Sequence, residues 1–172
     1  MVRWLSEKKI ERNYLEINSL EDLNETNILS EDYSIKLVEP RDFQLNKFFY
    51  KNVGKNHHWI DRLIWTDQQW SNYTSDDKVK TYILKNKDDL AGYFELICHK
   101  DKKEVEIAYL GLLEEYYNKK LGSYLLSSAI RNSFSDKINR VWVHTCSLDH
   151  QNALNNYLSR GMKIFKKETI SI

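Results

Sequence analysis

Residues 79–113 hold three apolar or alternating runs separated by two short polar turns, and this spacing limits the possible folds more than any other feature. The runs are Val79 to Leu84, Gly92 to His99 and Val105 to Leu113, with turns at Asn86 to Asp89 and Asp101 to Lys103. Links this short join antiparallel neighbours, because a parallel crossover needs a dozen residues or more. The expectation is a three-strand meander. A polar loop follows, then a helix over Leu121 to Phe134 with Leu121, Leu125, Ser128 and Ala129 on one face. Arg140 to Cys146 reads as a strand, Asn152 to Arg160 as a short helix closed by Gly161, and Met162 to Thr169 as a last strand.

Upstream, Tyr33 to Val38 alternates like a strand. Pro40, the only proline, suits the first turn of a helix, where a missing N–H costs nothing. That helix carries Phe43, Leu45, Phe48, Phe49 and Val53, and Gly54 stops it. Trp59, Leu63, Trp70 and Tyr73 predict a second helical segment. Residues 1–30 read as a polar N-terminal extension packed on the domain and fraying at its start, with one strand-like piece from Tyr14 to Ile17. The predicted order is β-α-α-β-β-β-α-β-α-β. It describes one α/β (α+β) domain with a mixed, mostly antiparallel central sheet and helices on both faces.

The net charge of +1 gives no global case for nucleic acid or an anionic membrane. No apolar run approaches the ~20 residues of a membrane span, and Met1 to Glu7 lacks the apolar stretch of a secretion leader. Cys98 and Cys146 stand far apart in apolar runs, which argues against a disulfide framework or a zinc site and for buried, reduced thiols. His57 and His58 have no cysteine or carboxylate at ligand spacing, so no metal is expected. His144 and His150 read as structural or surface residues. A cytosolic location is expected.

From Tyr33 onward the element order resembles that of the GNAT family of acetyl-CoA-dependent N-acetyltransferases. The resemblance rests on 105-VEIAYLGLLEEYYNKKLGSYLL-126 and 141-VWVHTCSLDHQNALNNYLSRGMKIF-165. It implies acetyl-CoA as co-substrate and an amine, on a small molecule or peptide, as acceptor. The family's phosphate-loop pattern is Gln/Arg-x-x-Gly-x-Gly/Ala. The matching positions here are Tyr117, Lys120 and Gly122, and only Gly122 agrees.

A pyrophosphate needs backbone N–H groups converging at a helix N-terminus, where the dipole favours an anion. Glycine allows positive φ and close approach but supplies no donor that other residues lack. Asn118 tolerates left-handed backbone well. Lys120 at positive φ would cost roughly 1 kcal/mol, which the charges of Lys119 and Lys120 on phosphate could offset. The loop from Tyr117 through Asn118, Lys119, Lys120, Leu121, Gly122 and Ser123 is therefore the candidate cofactor cradle, against the alternative of a solvated turn.

The resemblance implies further roles. A free N–H at Leu112, near the end of the third meander strand, would face the thioester oxygen, with Gly111 permitting the bulge that frees it. Glu106 matches a glutamate that is catalytic in some members. Alternation also puts it in phase with Ala108 and Leu110, where desolvation would raise its pKa toward that of a general base. The weaker candidate is Glu95. Tyr157 is the candidate acid for the leaving thiolate, and Asn152 caps its helix and bonds the pantetheine arm. Acceptor pockets in the family lie between the first two helices and the open sheet, which points to Trp59, Arg62 and Glu95. Trp65, Trp70 and Tyr73 could share that pocket or form core. Cys146 has no basic partner nearby in sequence, so direct transfer in a ternary complex is expected.

Two other classes fit less well. A non-catalytic acyl-CoA-binding or regulatory module on the same fold would explain the glycine-poor loop. A single-strand RNA-binding module could use the sheet aromatics, but no basic stripe supports it. A homodimer is compatible with the N-terminal segment and last strand.

Overall fold

The meander is the centre of a seven-stranded sheet. The computed structural model describes residues 7–172. Its strands are β1 (Lys9–Ile17), β2 (Tyr33–Leu37), β3 (Val79–Asn86), β4 (Asp89–His99), β5 (Glu104–Leu112), β6 (Arg140–Cys146) and β7 (Lys163–Ser171). The helices are α1 (Phe43–Gly54), α2 (Asp67–Ser75), α3 (Leu121–Ser133) and α4 (Ala153–Ser159). The spatial order is β2-β3-β4-β5-β6-β1-β7. All neighbours are antiparallel except β5 and β6, which the α3 crossover joins in parallel. None of the described helices is long and apolar enough to cross a membrane.

β1 differs most from expectation. It has nine residues and sits inside the sheet, pairing β6 on one side and β7 on the other. Its apolar residues explain this: Leu15 and Ile17 are fully buried beside Val143 and Val141, their partners on β6. The expectation of fraying at residues 1–6 lies outside the described residues.

Two helix starts also differ. α1 begins at Phe43, not at Pro40, because the Asp42 side chain accepts the Gln44 N–H and satisfies a free donor there. α2 begins only at Asp67, where Thr66 and Gln69 form a reciprocal capping box. Residues 55–66 are a loop, although the spacing from Trp59 onward predicts a helix. Trp59 turns back in this loop and packs on Gly54, where an added Cβ would come 2.5 Å from the Trp59 Cβ. Gly54 is the last residue of α1, and its role is this close approach. Gly161 closes α4 at a φ of +103°, with the Asp22 carbonyl where a side chain would stand.

β5 carries a bulge that decides the site. Glu95 pairs with Tyr109 and Leu96 with Ile107, so Ala108 is the extra residue. The expected bulge at Gly111 is absent. Gly111 instead packs against α1, its missing Cβ leaving room for Val53. The bulge reverses the alternation, so Glu106 shares a face with Tyr109 and Gly111 and not with Leu110.

Candidate active site

β5 and β6 pair at only three positions, Glu104 with Arg140, Val105 with Val141 and Glu106 with Trp142. Beyond these the strands diverge and leave a cleft of about 660 Å³, within the range of small-molecule sites. One edge is the backbone from Ile107 to Leu112, and the other is Val143 to Cys146. The N-terminus of α3 and its preceding loop close one end. Leu113 donates its N–H to Ala91 on β4. Alternation in an antiparallel ladder then turns the Leu112 and Leu110 N–H groups toward the edge that β6 has left.

The loop before α3 has the backbone that the sequence suggested. Asn118 has a φ of 60° and Lys120 of 59°, both left-handed. Lys120 stands at the N-cap of α3, and its side chain makes no capping bond. The N–H groups of the first turn are therefore uncapped by it and open to an anion. Tyr117, Asn118, Lys120, Leu121, Gly122 and Ser123 all line the cleft. Lys119 does not, since its Nζ lies 5.4 Å over the Tyr116 ring. From α4, Asn156 donates to the Gly122 carbonyl at 3.1 Å, while its own Oδ1 is buried without a partner. Asn152 lines the cleft at the start of α4, but its side chain does not cap the helix.

Tyr157 is buried in the cleft wall. Burial, reinforced by Asp149, pushes its phenol well above the ordinary tyrosine range. Glu106 is not among the lining residues. It sits at the closed apex of the divergence, with its carboxylate 3.3 Å from His99 Nε2. Glu95 and Arg62, expected to meet substrate, meet each other. They are 3.0 Å apart, both buried, and Glu95 also accepts from Asn46 and Tyr73. Burial opposes the Arg62 charge, but Glu95, Tyr73 and Tyr109 together outweigh it and raise its pKa. Trp65 and Tyr73 pack on the Arg62 guanidinium, and Trp70 is core. Trp59 alone of that group lines the cleft.

The structure adds a cluster that sequence reasoning missed. His57 Nε2 lies 3.2 Å from the Tyr117 hydroxyl, and Tyr117 packs edge-on against His150 at 5.0 Å. His57 comes from the 55–66 loop, Tyr117 from the β5–α3 loop and His150 from the β6–α4 loop. All three line the cleft. Burial holds the His57 pKa below the ordinary value. His150 adds to that, while Asp149 and a hydrogen bond to the Leu148 backbone oppose it. Sequence spacing raises His57 only as a candidate metal ligand, because the residues that give it this setting are distant in sequence. Among the described residues, no group of three or more His, Cys, Asp or Glu is arranged to hold a metal. Cys98 and Cys146 are free thiols and only half-buried. Cys146 lines the cleft, and burial, helped by Asp149, raises its pKa.

A model of the acetyltransferase (GNAT) family matches residues 40–162. The chain belongs to the GNAT family. Solved structures agree at the level of fold. A GCN5-related N-acetyltransferase from Sphaerobacter thermophilus superposes with a TM-score of 0.72 at 11% identity, covering 94% of this chain and 50% of its own. One from Kribbella flavida gives 0.66 at 11% identity, covering 94% and 57%. An aminoglycoside acetyltransferase from an uncultured soil metagenomic sample, in complex with trehalose, gives 0.64 at 11% identity, covering 77% and 90%. The chain thus spans little more than half the length of the first two. A comparison with curated proteins found no match. The mixed sheet and its flanking helices are the GNAT fold.

Proposed function

We propose that this GNAT protein moves an acetyl group from acetyl-CoA to a primary amine by direct transfer in a ternary complex. The observation that carries this reading is the opening between β5 and β6 beside the uncapped N-terminus of α3. A pyrophosphate at that end would meet the N–H groups of Leu121, Gly122 and Ser123, with Asn118 and Lys120 shaping the approach. The unpaired Asn156 Oδ1 suits an amide N–H of the pantetheine arm better than Asn152 does.

The chemistry follows from the cleft residues. As the amine forms a bond to the carbonyl carbon, negative charge grows on the thioester oxygen, and the Leu112 N–H stabilises it. The carbon–sulfur bond breaks, and the Tyr157 hydroxyl, kept protonated by burial, gives its proton to the leaving sulfur. The amine proton goes to His57, which its depressed pKa keeps neutral and able to accept near pH 7. Glu106 is set aside as the base because it points to His99 at the apex. The raised thiol pKa of Cys146 supports direct transfer over a covalent intermediate. The aminoglycoside acetyltransferase among the structural neighbours supports a small-molecule amine as acceptor. We assign the reaction to the cytosol, with no metal, nucleic acid or membrane partner.

Calorimetric titration with acetyl-CoA tests the reading. Roughly micromolar binding, lost with pantetheine fragments that lack the pyrophosphate, is expected. Absence of binding at millimolar acetyl-CoA would overturn it and leave the fold to another purpose. In transfer assays the rate should fall as the pH is lowered through the depressed His57 pKa, below the ordinary ~6.5. His57→Gln should lose that acid limb and about 10²–10⁴-fold in rate.

A further inference from the structure

The cleft has a second wall that the reaction above does not use. In strand register, Glu106 lies beside Trp142, His144 beside Tyr14, Cys146 beside Arg12, and Arg12 beside Glu168. These residues share one face of β6, β1 and β7. It is the face that α1 covers farther along the sheet, where Asn46 reaches Thr81 and Glu95. No described helix packs extensively on this part of it. Arg12 and His144 line the cleft there, with Ile10, Ile170 and Ile172 forming an apolar floor. The 55–66 loop, with Trp59 and His57, faces them across the opening.

Arg12 is the one described arginine that both lines the cleft and lacks a partner for its guanidinium. Arg62 pairs with Glu95, Arg140 with Glu16 and Glu104, Arg131 with Glu25, and Arg41 with Asp77. Arg160 is in no ion pair among the described residues, and its Nε is buried without an acceptor, but its guanidinium donates to the Thr26 hydroxyl and it does not line the cleft. Among the described residues Arg12 is in no ion pair, and its Nε is buried without any acceptor. The nearby carboxylates are engaged elsewhere. Glu168, its cross-strand neighbour, takes the Tyr14 hydroxyl at 2.8 Å and Lys166 at 2.5 Å. Asp149 takes the Thr145 hydroxyl at 2.6 Å and the Cys146 N–H at 2.9 Å. A guanidinium is always charged and presents a planar fork suited to a carboxylate. Leaving one of its donors buried and unpaired is costly unless a ligand supplies the acceptor.

We propose that the acyl acceptor is a free amino acid with an apolar or aromatic side chain, held by its carboxylate on Arg12. The side chain lies on Ile10, Ile170 and Ile172, and the amine is directed toward the β5 edge. This inference rests on the acetyltransferase reading for the use of the amine, but carboxylate binding itself does not require it.

The test is calorimetric titration of the protein, with CoA present, against L-phenylalanine, L-leucine and the amide of each, for wild type, Arg12→Gln and Arg12→Lys. At least one acid should bind about 10- to 100-fold more tightly than its amide, the range expected for a charge-assisted pair. Arg12→Gln should erase that ratio without changing acetyl-CoA affinity, and Arg12→Lys should restore part of it. Equal binding of acid and amide, no binding of any probe, or a preference that survives Arg12→Gln would overturn the inference. Acyl transfer is followed in parallel. Carboxylate-dependent binding without transfer would keep the Arg12 site and sink the acetyltransferase reading. Transfer to simple amines without carboxylate preference would do the reverse.

Discussion

Lys120 shows how one residue can meet two opposed demands. Its left-handed backbone costs roughly 1–2 kcal/mol relative to ordinary helix-region geometry. Glycine would remove that strain but adds unfolded-state freedom worth about 0.4–1 kcal/mol. The two effects nearly cancel, so Lys120→Gly should change stability by no more than about 1 kcal/mol. That leaves the charge as the main difference. Acetyl-CoA affinity should fall several-fold, and the loss should shrink as salt rises. Thermal melts and titrations at two ionic strengths check both parts; unchanged affinity would mean that the lysine contributes nothing to the cradle. The left-handed backbone at Asn118 was legible in its residue type, whereas that at Lys120 was only a condition drawn from its place in the family's loop pattern. The role of Glu106 was not legible. One extra residue at Ala108 reverses its face, and no local pattern marks a bulge in VEIAYLGL.

At the scale of elements, the 55–66 loop is held by the buried pair of Arg62 and Glu95. The Arg62 guanidinium lies 4.2 Å from the Tyr73 ring centroid and 4.4 Å from that of Tyr109. Its backbone N–H also donates to the Tyr50 hydroxyl at 3.1 Å. This anchoring places Trp59 and His57 at the cleft. Glu95→Ala leaves a buried guanidinium without its counter-charge and should cost about 3–5 kcal/mol. For a domain of this size that is a fall in Tm of roughly 10 °C. The double replacement Glu95→Leu with Arg62→Met should cost less than Glu95→Ala alone, since no orphan charge remains. If the single change proves the milder of the two in calorimetric melts, the pair does not hold the loop as described. Sequence spacing misread this loop as helix because Trp59 and Leu63 fit an amphipathic period. The capping signal 66-TDQQ-69 in the same stretch marks the true start.

At the scale of the whole molecule, β1 joins the two halves of the sheet's far edge. Among the described residues, β7 pairs only with β1, and β1 is the sole antiparallel partner of β6. A chain starting at residue 18 would expose the β6 edge and strip β7 of every ladder hydrogen bond. Such a chain should fail to fold or should aggregate, as read by circular dichroism and size exclusion. A soluble, cooperatively melting product would show that β1 is dispensable. Arg12 would be lost with the same deletion, so the acceptor wall and the sheet edge depend on one segment.

The sequence by itself determined the meander, the crossover helix and the left-handed turn at Asn118 before it. Each follows from local rules: turn length, period of apolar residues and the few side chains that accept positive φ. It also carried enough pattern for the GNAT resemblance. The tertiary structure decided the rest. Only long-range pairing could insert β1 between β6 and β7, bring His57, Tyr117 and His150 together from three loops, and couple Arg62 to Glu95. Those contacts join residues far apart in the chain, and their free energy comes from burial that no single segment can achieve alone.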